Sequence, residues 1–225
     1  MSRLLLLAAA LASLRAADFR PPAGRRYATI AAAGSILPGG RVLQPFGRQI
    51  TTGPGTFGLA INHKGLLATT DIGSDRIGIS LIEQVKGEWQ DRHLWARTPG
   101  STAAETAEPD WKGVFFGIAF ETDRSLWVSE GDSGRLRLVD INSGNHQKIV
   151  NLNDREWRNS FSGDLAYDPA RHLIFVIDQA NFRLAIVDSK KGQVISSIRV
   201  GRMPFAIALS PDASTAYVTN VGVFR

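Results

Sequence analysis

Four oxygen-bearing side chains, Asp71, Glu130, Asp178 and Asn220, each close a short apolar run. Drawn into one ring they could hold a hard cation such as calcium, which takes about six to eight oxygen ligands. The same residue types also suit tight turns, because Asp and Asn bond to nearby backbone. A repeated hairpin generates the pattern equally well, so both readings stand. Other chemistry finds less support. His63, His93, His146 and His172 are isolated, without the spacing of a histidine metal site. No Gly-x-Ser-x-Gly elbow offers a serine nucleophile. Gly131-Asp132-Ser133-Gly134 reads as a hairpin turn, without the helix N-terminus that a phosphate loop needs. With no cysteine, the chain has no disulfide, thiolate ligand or thiol nucleophile.

The elements that must position these residues come from a repeat. Phe57 to Ile61, Phe116 to Phe120, Gly163 to Tyr167 and Phe205 to Leu209 align as first strands, with Ala60, Ala119, Ala166 and Ala208 spaced 59, 47 and 42 residues apart. Turns at Asn62 to Gly65, Glu121 to Arg124, Asp168-Pro169 and Ser210 to Asp212 lead to second strands closed by the four oxygen-bearing residues. Third strands begin at Arg76, Arg135 and Arg183; Lys148 to Leu152 and Val194 to Val200 read as fourth strands. Units of about 40–50 residues with four strands are β-propeller blades. The expected fold is all-β, an incomplete β-propeller of about three and a half four-stranded blades forming an open arc. Its exposed strand edge and apolar blade face predict poor stability in isolation. Small alanines suit crowded inner strands, and Trp127, Phe175 and Tyr217 fill the space between blades. The polar stretch from Glu83 to Val114 predicts a fourth strand and a long loop. Its Trp89, Trp95 and Trp111 either form a binding surface or tuck the loop against the propeller wall.

Ser210-Pro211-Asp212 followed by Tyr217-Val218-Thr219-Asn220 resembles the YVTN β-propeller repeat family of secreted bacterial and archaeal proteins. Val176-Ile177-Asp178, Val128-Ser129-Glu130 and Thr69-Thr70-Asp71 are degenerate copies, and Asp140 and Asp188 match the family's turn after the third strand. The resemblance runs from about Ile50 to Arg225. The stretch Ser35 to Gln49 is similar to the start of a subgroup in which such a propeller precedes a phosphoesterase of the alkaline phosphatase superfamily. That likeness implies a propeller half whose catalytic half lies outside this sequence.

Met1-Ser2-Arg3, the apolar run Leu4 to Leu14 and Ala16 read as a secretory signal peptide, too short to span a bilayer. The expected division is 1–16 signal peptide, 17–52 N-terminal arm and 53–225 partial propeller. Export places the mature chain in the periplasm or outside the cell, with no membrane span. Its net charge of +5 falls to +3 once Arg3 and Arg15 leave, and the remaining arginines are scattered. No nucleic-acid partner is expected. The leading expectation is a binding or scaffold module, its protein or small-molecule ligand taken at a propeller face. The alternative is a hydrolase, lactonase-like with calcium or phosphoesterase-associated. A propeller fold alone does not separate these.

Overall fold

A computed structural model describes residues 21–29, 34–44, 46–73, 76–96, 111 and 113–222. The proposed leader, Ser74-Asp75 of the first blade's second turn, and 97–110 of the long loop lie outside the described residues. Two compact units divide between Ile50 and Thr51. The first contains a short antiparallel ladder, β1 (Ser35–Ile36) with β2 (Val42–Leu43). The second is built entirely from strands among its described residues.

Three four-stranded antiparallel sheets follow one another, each with its strands in sequence order. The first blade is β3 (Thr56–Ile61), β4 (Leu67–Ile72), β5 (Ile77–Val85) and β6 (Glu88–Trp95). The second is β7 (Ile118–Phe120), β8 (Ser125–Ser129), β9 (Arg135–Asp140) and β10 (His146–Asn151). The third is β11 (Ser162–Asp168), β12 (Leu173–Asp178), β13 (Arg183–Asp188) and β14 (Gln193–Arg199). A two-stranded sheet, β15 (Pro204–Leu209) with β16 (Ala216–Asn220), begins a fourth. Neighbouring inner strands touch in the order β3, β7, β11, β15, and the sheets form the open arc of an incomplete β-propeller.

Strand periodicity explains how the blades pack. Successive side chains point to opposite faces. In β8, Leu126 and Val128 enter the core shared with the first blade, while Trp127 enters the core shared with the third. In β12, Ile174 and Val176 face the second blade, while Phe175 and Ile177 face the fourth. The recurring alanine has a specific neighbour: Ala60 pairs with Ala68, Ala119 with Trp127, Ala166 with Phe175 and Ala208 with Tyr217. In the second, third and fourth blades the small inner-strand residue leaves room for the bulky partner beside it. Each blade interface therefore sets an alanine pair of one blade against a Leu/Ile–Val pair of the next: Ile118–Val128, Leu165–Val176 or Ile207–Val218.

The same positions at the two ends of the arc are open. Leu59, the counterpart of Ile118 (7% exposed), Leu165 (5%) and Ile207 (9%), is 67% exposed. Tyr217, the counterpart of the fully buried Trp127, is 62% exposed.

Turn chemistry holds the hairpins. Lys86 and Gly87 both have positive φ (51° and 84°), as a type I′ turn between β5 and β6 requires. Asn62 accepts from the backbone N–H groups of Lys64 and Leu66. Asp140 and Asp188 accept backbone N–H bonds in the turns between third and fourth strands, and Asp168 and Asp212 do so in the turns between first and second strands. Those bonds favour the ionised form and are the main cause that lowers the pKa of Asp140 and Asp188; Asp168 is lowered first by its bond from the Arg171 guanidinium. Asp212 falls to about 2, with the Ser210 hydroxyl its strongest donor.

Candidate functional site

The inner strands begin at the end of the arc where second strands turn into third strands, here called the upper end. Their backbones come close there. A Cβ added to Gly58 would clash with the Phe116 carbonyl oxygen, and one added to Gly117 with that of Gly163. Only glycine fits such an approach without displacing a neighbouring inner strand. A hydroxyl on the second strand serves three of the four inner strands; the third blade has Ile177 at that position. Thr70 accepts from Gly58 N (2.8 Å), Ser129 from Gly117 N (2.9 Å) and Thr219 from Ala206 N (3.1 Å).

The four predicted ring residues all lie at this end, and the structure gives each local work. Asp71 accepts from Thr56, Thr69 and Ser80 hydroxyls. Glu130 is buried between two arginines, Arg135 (Nη2–Oε2 2.6 Å) and Arg137 (Nε–Oε1 2.5 Å), and Ser133 also donates to it. Asp178 accepts from Arg183 Nε at 2.9 Å, from Asn181 and from the backbone N–H of Phe161. Asn220 is exposed and donates to the Val218 carbonyl. Among the described residues no three His, Asp or Glu side chains converge as a metal site.

Tryptophans complete the two arginine-bearing latches. Trp111 is buried and lies under the Arg137 guanidinium, 5.6 Å to the ring centre. Trp157 lies under Arg183 at 4.8 Å. Trp111 is thus tucked against the second blade, while Trp95 stacks on His93 and carries Arg76. Sequence reading aligned Arg135 and Arg183 but did not recognise them as partners of the acids five residues earlier.

A serine–histidine–aspartate string crosses the first blade. Ser80 Oγ lies 2.8 Å from His93 Nδ1, and His93 Nε2 lies 3.1 Å from Asp91. It is not arranged for nucleophilic attack. Ser80 is fully buried, donates to Asp71 and accepts from Gly53 N. At the lower end, a polar cleft of about 660 Å³ between the first two blades includes Lys64, Trp89, Arg92, Asp123 and Arg124. Two of its cations are engaged across the blades, Lys64 with Asp123 at 2.8 Å and Arg92 with the Ile141 carbonyl at 2.6 Å, and Arg124 pairs with Asp140 of its own blade.

What the upper end leaves available is aromatic. Phe57 stacks on Phe115 (6.3 Å), and Phe115 meets Phe161 edge-on (4.9 Å). Phe116 and Phe205, one repeat position in two different blades, meet at 5.3 Å; the aligned residue of the intervening blade is Gly163, which has no side chain. All five phenylalanines retain exposure. The repeat displays Phe57, Phe116 and Phe205 as the first residue of their units, and that is the signal by which they could have been singled out.

Asp164 was also missed. It stands where Gly58 and Gly117 stand in their blades, and its carboxylate accepts from Leu165 N and from Ile207 N of the next inner strand. Burial raises its pKa against the pull of those two bonds. A carboxyl whose folded-state pKa exceeds its unfolded value costs stability when ionised. Its contribution therefore improves as pH falls from neutral through the raised folded value toward the ordinary carboxylate range. Thermal midpoints of wild type and Asp164→Asn should diverge in favour of wild type over that window. A constant difference, or one moving the other way, contradicts the burial effect.

No protein-family profile matches the chain, and no curated protein matches it. Solved structures do. Hydrazine synthase of Kuenenia stuttgartiensis superposes with a TM-score of 0.57 at 16% identity, over 80% of this chain and 46% of that one. A protein from Lactobacillus plantarum superposes with a TM-score of 0.56 at 16% identity, over 83% of this chain and 54% of that one. These likenesses show a β-propeller fold. The chain spans about half the length of either structure.

Proposed function

We propose that this β-propeller is an exported YVTN-type binding or scaffold module that takes an apolar or aromatic group of a protein or small molecule at its upper end. One observation carries the reading: part-exposed Phe57 on β3, Phe115 before β7 and Phe161 before β11 form one contiguous row across the first three blades. Aromatic rings offer large contact area and few rotatable bonds, which suits a recognition surface. The YVTN assignment draws support from Thr219, whose hydroxyl makes the same inner-strand bond as Thr70 and Ser129. Export rests on the basic start and short apolar run of the leader.

The test is titration of the full chain with the fluorescent apolar probe 1-anilinonaphthalene-8-sulfonate. Phe115→Ser/Phe161→Ser should weaken saturable binding about tenfold, the effect of ~1.4 kcal/mol of lost aromatic contact. Unchanged binding in a variant that melts like wild type removes the row as the site.

A further inference from the structure

Of the five tryptophans in the chain, four are committed within it. Trp95 stacks on His93, Trp111 and Trp157 lie under arginines, and Trp127 fills the core between the second and third blades. Trp89 differs. It stands on β6 just past the Lys86-Gly87 turn, half-buried, and among the described residues its indole has no hydrogen bond, ring stack or cation contact. It borders the lower-end cleft of about 660 Å³ between the first two blades. The charges of that cleft are already answered: Lys64 by Asp123, Arg124 by Asp140 and Arg92 by the Ile141 carbonyl. Hydrogen bonding is what the wall still offers. Glu83 is exposed and can accept, Gln84 keeps its amide oxygen while its nitrogen donates to the Gly87 carbonyl, and Arg124 has more N–H groups than its partners use. A second hollow of about 300 Å³ adjoins the cleft through Ile61 and Asn62 and reaches Phe120 on β7 and Tyr167 on β11.

We propose that this lower-end groove binds a neutral oligosaccharide, with one pyranose ring against Trp89 and the chain continuing toward Tyr167. The first argument is the aromatic platform. The C–H face of a pyranose carries partial positive charge and meets the negative face of an indole, while the ring hydroxyls stay free for the wall. The second is the mixture of donors and acceptors. Each sugar hydroxyl both donates and accepts, so it satisfies Glu83 and Gln84 as readily as Arg124. The third is charge: with its cations paired, the cleft has little to offer a phosphate, and its polar wall makes a poor bed for a hydrocarbon. Two adjoining hollows with an aromatic residue in each suit more than one sugar unit. Both walls belong to blades that have their neighbour in place, so the groove is complete as it stands.

Isothermal titration calorimetry of the full chain with cellopentaose, maltopentaose and chitopentaose tests this, with tryptophan emission read in parallel. At least one of the three should bind saturably with a Kd of about 1 mM or tighter and shift the emission. Trp89→Ala should weaken that binding about tenfold, the order expected for a lost aromatic platform. Trp89→Phe keeps a ring and should retain most of the affinity while losing the emission change. Phe115→Ser/Phe161→Ser alters the upper end and should bind the sugar like wild type, so the two sites stand or fall separately. Inorganic phosphate should not compete. Absence of binding by all three sugars overturns the proposal. Unchanged affinity in a Trp89→Ala variant that melts like wild type, or displacement of the sugar by phosphate, also overturns it.

Discussion

Arg183→Ala should destabilise the protein by about 3–5 kcal/mol, the range for removing one partner of a buried ion pair. The guanidinium is fully buried and its donors reach three parts of the structure. Nε bonds Asp178, Nη1 bonds Ser197 on β14, and Nη2 bonds the Leu152 carbonyl after the second blade's last strand. Trp157 covers its face. Truncation leaves Asp178 buried with only Asn181 and backbone N–H groups as donors, and it opens the seam between the second and third blades. Arg183→Lys should not restore the loss, since an ammonium lacks the planar fork that reaches three acceptors. Asp178→Leu/Arg183→Met removes both charges and should recover much of the stability. Urea unfolding midpoints of the single and double variants give the coupling directly. A loss near zero for Arg183→Ala would show that the latch does not hold the seam.

Trp127→Ala should cost a similar ~3–5 kcal/mol through lost contact and the cavity it leaves between the second and third blades. Its indole sits in the core with Leu165, Ile174 and Val176 around it. Trp127→Phe should cost about half of that or less, because the indole N–H is buried without a hydrogen-bond acceptor and its removal relieves a desolvation penalty of ~1–3 kcal/mol. Tyr217→Ala, at the aligned but exposed position, should shift the urea midpoint hardly at all. Equal losses at both positions would contradict the blade assignment.

The blades were legible because turn residues and period-two runs carry their own local signal. Asn62 to Gly65, Glu121 to Arg124 and Ser210 to Asp212 each separate a first strand from a second, where the sequence predicted a turn. The alignment also placed Asp71, Glu130, Asp178 and Asn220 at one station. It did not show what those residues bond to, because that depends on which side chains burial brings across a turn. Glu130 meets Arg137 seven residues on, whereas Asp71 meets Ser80 on the third strand and carries no arginine. Asp164 was hidden for a related reason. Its position reads as glycine in the first two blades, and its role appears only when the next inner strand brings Ile207 N to it. The phenylalanine row needed three-dimensional proximity too, since Phe115 and Phe161 lie outside the aligned units.

Sheets made from consecutive strands give this fold a particular way of coming apart. Hairpin contacts are close in sequence, and apart from the Phe116–Phe205 ring contact the main contacts between sheets join adjacent blades. Stability then approximates a one-dimensional sum of blade and interface terms, as in repeat arrays. Among the described residues the second and third blades share apolar cores with a neighbour on both sides, while the first blade and the β15–β16 sheet each share one core. Local opening is cheapest at the two termini of the array and most costly at the Trp127 interface. The upper-end row spans that gradient: Phe57 sits on the blade that opens readily, and Phe115 and Phe161 sit beside the persistent centre. Fraying of the first blade therefore narrows the proposed recognition surface without dissolving it.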